Sequence, residues 1–293
     1  MRLVFAGTAP FAVASLNALV AARHEVVLVV TQPDRPGNRN KIFPTPVKQA
    51  AAKHGLYVYQ PERIGSPEAI AQIEWAAPEL MIVVAYGQII PAAVLAIPRL
   101  GVLNVHGSLL PRHRGAAPIA GAILAGDPVT GVTVMRMDEQ LDHGPVLATR
   151  EVPLSSEATT ESVTLELAGV GASLLVEVVG DLDRHPAVEQ NHSAATVSPR
   201  HRKEDGELDW SMAAAEIDRR VRALNPWPGT SASFGERVIK LLRGHPVAGS
   251  GEPGTVIATT RDGLTIATGD GAFLLEEVQL PGRRPMPARQ LLP

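Results

Sequence analysis

The sequence contains no cysteine among its 293 residues. Disulfides, thiolate zinc sites, thiol nucleophiles and cysteine-ligated iron–sulfur clusters are therefore excluded, and any catalysis must use oxygen and nitrogen groups. Among its nine histidines there is neither H-E-x-x-H nor H-x-x-E-H spacing, so no metal is expected. The apolar start, Met1-Arg2-Leu3-Val4-Phe5-Ala6-Gly7, is too short for a signal peptide or membrane span and runs at once into turn residues. The expectation is a soluble, cytoplasmic chain with no membrane partner. Charge bias is also slight: 27 Lys+Arg against 30 Asp+Glu, net −3, carry no overall sign of a nucleic-acid partner. There is no internal repeat and no low-complexity tract. The 25 prolines and 26 glycines are dispersed, so they punctuate short elements and do not mark disorder. The turn Gly7-Thr8-Ala9-Pro10 lacks G-x-G-x-x-G and reads as a tight connection, not a nucleotide-binding loop.

What is present is a hydrophobic content of 45%, enough for a sizeable core, in a chain whose length suggests two domains. Apolar strands at 2–6, 25–31, 56–59, 80–85 and 102–106 alternate with helical stretches at 11–22, 47–54 and 67–75. That alternation predicts an α/β domain with a doubly wound, mostly parallel sheet and helices on both faces. Beyond a helix at 118–125, strands at 129–137 and 145–152 flank the polar loop 138–144, and a long apolar helix at 160–179 closes the domain. Residues 184–208, rich in Pro, His, Ser and charge without apolar period, read as a linker. From 238 onward short alternating strands broken by Gly and Pro predict a small, OB-like β-barrel. The expected division is 1–183, a linker at 184–208, and 209–293.

Ligands of such sheets sit at the carboxyl ends of strands, which singles out Asn104 and His106. Two residues apart, they project on one side of a strand, and they run into Gly107-Ser108-Leu109-Leu110-Pro111-Arg112-His113-Arg114-Gly115, a loop too polar for packing alone. A solvated turn and a satisfied, half-buried histidine are the ordinary alternatives. Asn at spacing two and the polar loop favour function. Asp142, before His143-Gly144, is by itself equally good turn chemistry. Arg112 and Arg114 are either a solvated loop face or cations beside a cleft.

Asn104-x-His106, Ser108-Leu109-Leu110-Pro111 with Arg-x-Arg-Gly after it, and Leu141-Asp142-x-Gly144 together resemble the family of formyltetrahydrofolate-dependent formyltransferases. The resemblance runs through most of the first 180 residues. It implies that Asn104, His106 and Asp142 are the catalytic trio, that Ser108, Leu109, Leu110 and Pro111 form the folate loop, and that Tyr86, Gly87 and Gln88 lie beside the pterin ring. The co-substrate implied is 10-formyltetrahydrofolate. Three further features resemble the members that act on methionyl initiator tRNA: Thr31-Gln32-Pro33-Asp34-Arg35-Pro36 leading into a loop with Arg39 and Lys41; Asp209-Trp210-Ser211 with Asn225-Pro226-Trp227-Pro228-Gly229; and the closing Gln279-Leu280-Pro281-Gly282-Arg283-Arg284-Pro285-Met286. Translation initiation is then the implied setting, with reduced folate and tRNA as partners of a monomer. The alternatives are formyl transfer onto an amino-sugar nucleotide, hydrolysis of formylfolate, and a folate- or nucleotide-binding module without turnover.

The chemistry has its own requirements. An amine attacking a formamide-type carbon makes a tetrahedral intermediate with a negative oxygen and a positive nitrogen, so donors are needed for one and a proton acceptor for the other. Asn104 and His106 supply the donors. An Asp142 placed against His106 would favour the cationic ring and take the amine proton through a water. No covalent intermediate is required. Arg39 and Lys41 are expected at the acceptor end of the tRNA. Lys240, Arg243, Arg283, Arg284 and Arg289 are expected to hold its backbone.

Overall fold

The computed structural model describes residues 1–36 and 42–292. In chain order the elements are β1 (Arg2–Gly7), α1 (Pro10–Ala21), β2 (Glu25–Val30), β3 (Arg35–Pro36), β4 (Ile42–Phe43), α2 (Pro46–Lys53), β5 (Val58–Tyr59), α3 (Pro67–Ala76), β6 (Leu80–Val84), α4 (Ala92–Leu95) and β7 (Val102–His106). There follow α5 (Pro118–Ala125), β8 (Val129–Arg136), β9 (Val146–Pro153), α6 (Thr160–Gly180), α7 (Ala214–Leu224), β10 (Thr230–Phe234), β11 (Arg237–Val247), β12 (Val256–Thr259), β13 (Leu264–Ala267), β14 (Ala272–Gln279) and β15 (Met286–Pro287). They fall into two compact units: Met1–Pro118, Val129–Pro153 and Thr164–Val197 in the first; Ile119–Pro128, Leu154–Val163 and Ser198 onward in the second.

The first unit is built on a seven-stranded sheet of order β5-β2-β1-β6-β7-β8-β9. β5, β2, β1, β6 and β7 run parallel, and β8 and β9 are added antiparallel. β1 and β6 are almost wholly buried apolar runs, as strands covered on both faces must be. Helix starts follow local chemistry. Thr45 and Ser66 cap α2 and α3 by accepting from Lys48 N and Ala69 N, each at 3.2 Å, with Pro46 and Pro67 in the first turn. The long apolar α6 is long enough to cross a bilayer, yet here it lays Leu167, Leu175 and Val178 into the core. Gly171 permits that approach, since a Cβ there would lie 3.0 Å from Val105 Cγ1 and 3.2 Å from Val132 Cγ1.

The segment read as a linker is, over residues 188–197, paired to the first unit. Val188 bridges Val146, and Val197 bridges Arg114. Its order comes from backbone and side-chain hydrogen bonds, which leave no apolar period in the sequence. The short hairpin β3-β4 and the four-residue α4 were likewise not anticipated.

The second unit carries an antiparallel sheet of order β10-β11-β14-β13-β12, with β15 added against β14. Its core is Trp210, Ile217, Ile239, Leu241, Phe273 and Leu275. α7 is strongly amphipathic and places Ile217 and Val221 on that core. Its other side is tied down by Arg219 Nε donating to Leu124 O at 3.1 Å and Arg222 NH1 to Ala158 O at 2.9 Å.

Candidate active site

The sheet order reverses between β1 and β6, and the crevice of such a sheet opens beyond the strand ends there. The loops at this point are knitted together. Thr8 N and Ala9 N donate to Ala85 O at 3.2 and 3.3 Å, while Thr8 Oγ1 and Gln32 Nε2 both donate to Tyr86 O at 2.9 Å.

One strand along, β7 presents Asn104 opposite Met135 and His106 opposite Thr133 on β8. His106 is 6% exposed, and its Nε2 donates to the His113 carbonyl at 2.9 Å. A carbonyl only accepts, so Nε2 carries a proton and Nδ1 is the nitrogen left for chemistry. That Nδ1 lies 3.7 Å from Asp142 Oδ2. The same carboxylate oxygen accepts from Gly115 N at 2.7 Å, and Oδ1 accepts from Asn104 Nδ2 at 3.4 Å. Asn104, His106 and Asp142 are thus brought together.

The backbone is strained around them. Ala85, His113 and Asp142 have φ of 44°, 56° and 48°. Such residues cost roughly 1–3 kcal/mol each and gather at functional sites. Two of them carry atoms of this one: His113 aims its carbonyl at His106, and Asp142 its carboxylate. Gly144 is required next door, because a Cβ there would lie 2.0 Å from Arg136 O.

The loop 108–115 is held from inside. Ser108 Oγ donates to Arg112 O at 2.6 Å, Thr133 Oγ1 donates to Ser108 O at 2.7 Å, and Leu110 N donates to Thr133 Oγ1 at 3.1 Å. Ser108 and Leu110 are therefore buried and Pro111 is half-buried. Leu109, between Ser108 and Leu110, is half-buried. Tyr86 is similar. Its ring lies in the core at 1% exposure, and burial, with Tyr59 nearby, pushes its hydroxyl up to about 12. Any ligand contact by Tyr86 would be through the main chain, while Gly87 is exposed beside it. Gln88 ties its loop to residues 62–64: its Oε1 accepts from Ile64 N at 2.9 Å and its Nε2 donates to Glu62 O at 3.1 Å.

Arg114 is not a solvated loop face. It is 9% exposed, and its guanidinium donates to Gln190 Oε1 at 2.7 and 3.3 Å and to His192 Nδ1 at 2.8 Å. His143 turns to Asp138 Oδ2, at 2.7 Å, and stacks on His192 with ring centroids 4.0 Å apart. Gln190 and Thr196, which hold the same loops, carried no signal in the sequence beyond their place in a polar segment.

Arg39 and Lys41 lie outside the described residues. At the foot of the hairpin that flanks them, Asp34 pairs with Lys48 Nζ and accepts from Gln60 Nε2 at 2.7 Å. Partial burial acts against its charge, but the bonds from Lys48 and Gln60 and the Lys48 charge outweigh it and hold the carboxyl below the ordinary range. In the second unit Lys240 is exposed on β11, and Arg283 and Arg284 are exposed in the turn before β15. Arg243 is also exposed and is paired with Glu276 Oε2 at 3.2 Å. Arg289 is also exposed and donates to Arg261 O at 3.4 Å. Among the described residues no group of three His, Asp or Glu could hold a metal ion.

Comparison with known proteins gives the family. Residues 1–179 match the family described as formyl transferase, and residues 200–293 match the formyl transferase C-terminal domain. The chain belongs to the formyl transferase family. A methionyl-tRNA formyltransferase from Dechloromonas aromatica is 45% identical over all of this chain and 95% of its own length. Another, from Methylococcus capsulatus, is 46% identical over all of this chain and 96% of its own. Among solved structures, the N-formyltransferase from Helicobacter canadensis in complex with folinic acid and dTDP-3-aminofucose superposes with a TM-score of 0.72 at 16% identity, over 95% of this chain and 100% of that one. HypX from Aquifex aeolicus in complex with tetrahydrofolic acid gives 0.66 at 21% identity. This formyl transferase spans all of its own length but only 47% of HypX. At these identities both structures speak for the fold alone.

Proposed function

We propose that this formyl transferase moves the formyl group of 10-formyltetrahydrofolate onto the amino group of methionyl initiator tRNA, with Asn104, His106 and Asp142 as its catalytic residues. The observation that carries the chemistry is the convergence of Asn104 Nδ2 and His106 Nδ1 on the Asp142 carboxylate at 3.4 and 3.7 Å. The choice of acceptor is supported by full-length similarity to relatives named for methionyl-tRNA, at 45% and 46% identity.

The amine attacks the formyl carbon, forming one C–N bond. Asn104 Nδ2 has two N–H groups, and Asp142 takes one, leaving the other for the oxyanion. With its Nε2 fixed by His113 O, a protonated His106 sets positive charge beside the same centre. Asp142 takes the amine proton, through a water, and returns it to the folate nitrogen as that C–N bond breaks. Ser108, Leu109, Leu110, Pro111, Tyr86, Gly87 and Gln88 are assigned to folate, mostly by main chain and loop shape.

Residues 1–183 are assigned the chemistry and 209–293, after the 184–208 connection, the RNA. Arg39 and Lys41 are assigned to the acceptor end, and Lys240, Arg283 and Arg284, with a smaller share from Arg243, to phosphates. We read the protein as a cytoplasmic monomer that engages no membrane; only the last point has support, in that α6 lays Leu167, Leu175 and Val178 into the core.

The test is incubation with 10-formyltetrahydrofolate and, separately, methionyl initiator tRNA, an amino-sugar nucleotide, or water alone. Formylmethionyl-tRNA should form fastest. Preferential formylation of the sugar nucleotide, or release of free formate at an equal rate without acceptor, would overturn the assignment.

A further inference from the structure

Gln190 lies far from Asn104, His106 and Asp142 in sequence, yet it contacts both loops that hold them. It is 7% exposed. Its Nε2 donates to Asp142 O at 2.9 Å and to Gly144 O at 2.7 Å, and its Oε1 accepts from Arg114 Nε and NH2 at 3.3 and 2.7 Å. All four hydrogen-bonding positions of the amide are used, and its orientation is fixed. Flipped, it would set an oxygen against two carbonyls and an NH2 against a guanidinium.

The two loops it joins are not interchangeable with other surface loops. One carries Asp142 in a left-handed conformation with φ of 48°. The other carries Arg114 between His113, whose carbonyl accepts from His106, and Gly115, whose N–H donates to the Asp142 carboxylate. The segment around Gln190 strengthens the second loop further: Thr196 Oγ1 accepts from His113 N at 2.8 Å, and Thr196 O accepts from Arg114 N at 2.8 Å. One buried side chain thereby links the peptide of Asp142 to the side chain of Arg114, the residue between the two peptides that bind His106 and the Asp142 carboxylate.

We infer that Gln190 is a positioning residue for formyl transfer, holding Asp142 in its left-handed conformation so that the carboxylate stays registered on Gly115, Asn104 and His106. The inference rests on the proposed role of Asp142. Without the two Nε2 donors, the Asp142 peptide is free to relax, and a shift of about 1 Å in a reacting group is enough to cost about a hundredfold in rate.

Two variants separate this from general support of the fold. Gln190→Glu keeps the side chain's size and its acceptor for Arg114 but opposes carboxylate oxygen to the Asp142 and Gly144 carbonyls. Gln190→Met keeps bulk and removes every polar atom. In both, kcat for transfer from 10-formyltetrahydrofolate to methionyl initiator tRNA should fall about a hundredfold, with KM for each substrate changed by less than about threefold. On an Asp142→Asn background neither should add a further loss, because Gln190 acts through Asp142. Near-normal kcat in Gln190→Glu, or reduced folded protein with unchanged kcat in the folded fraction, or losses that multiply with Asp142→Asn, would overturn the inference while leaving Asp142 in place. Full turnover by Asp142→Asn alone would remove the reading beneath it, and this inference with it.

Discussion

Replacing Asp142 by Asn tests the charge at the site with little else disturbed. Asp and Asn are the residues other than glycine that best tolerate the left-handed region, so the backbone at φ 48° can be kept. The new Oδ1 can still accept from Gly115 N, which sits 2.7 Å from the carboxylate in the parent chain. What is lost is the negative charge 3.7 Å from His106 Nδ1. Two unit charges at that distance attract by about 4 kcal/mol at an effective dielectric of about 20, equivalent to roughly a thousandfold in rate if all of it acts in the transition state. Water in the cleft reduces that figure. The amide's NH2, moreover, now faces Asn104 Nδ2, where an acceptor stood. The expected fall in kcat is therefore about 10²–10³-fold. Asp142→Ala should lose more, since Gly115 N is then left without its acceptor. Single-turnover formylation, with folate affinity measured separately by equilibrium binding, is the assay. Wild-type turnover in Asp142→Asn would refute the electrostatic argument. Full activity at saturating folate with greatly weakened folate binding would move Asp142 from the chemistry to ligand binding.

Asn104→Ala and His106→Ala should each lower kcat by about a hundredfold or more in a protein that still melts cooperatively; near-normal turnover in either removes that residue from the mechanism. The Asp34 carboxyl is held below its ordinary range, so its stabilisation is present above the unfolded value and is lost as pH falls through the lower folded value. Unfolding free energies of wild type and Asp34→Asn from urea titrations should accordingly differ by about 1–2 kcal/mol near neutrality and begin to converge below about pH 4, and a constant gap down to strongly acid pH would contradict the linkage. Gly171→Val puts methyl groups against Val105 and Val132, which already sit 3.0 and 3.2 Å from a Cβ position; overpacking of about 2 kcal/mol should lower Tm by about 5 °C in a thermal scan, and an unchanged Tm would mean that α6 can shift. Neutralising Arg283 and Arg284 together should weaken tRNA binding and flatten its log–log salt dependence by about 1.5, leaving folate affinity alone; an unaltered slope would take both arginines off the RNA backbone.

The strands and helices of the first unit were legible because each is set by a short local code. β1 and β6 are unbroken apolar runs, and Pro46 and Pro67 mark helix starts behind Thr45 and Ser66. Asn104 and His106 were legible for the same reason, as two polar residues ending an otherwise apolar strand. Asp142 needed the family resemblance, since Asp before His-Gly is ordinary turn chemistry and nothing local says which strand end it will reach. Side-chain direction was harder still. Tyr86 and Ser108 sit in the expected loops, yet each is drawn inward, Tyr86 into the apolar cluster and Ser108 onto Arg112 O. Gln190 lay beyond reach, because its contacts span 46 to 76 residues and are purely polar, leaving no periodicity to read. Residues that touch substrate are announced by being polar where the pattern demands apolar. Residues that position them can be polar where polarity is unremarkable, and only the hydrogen bonds they make distinguish them.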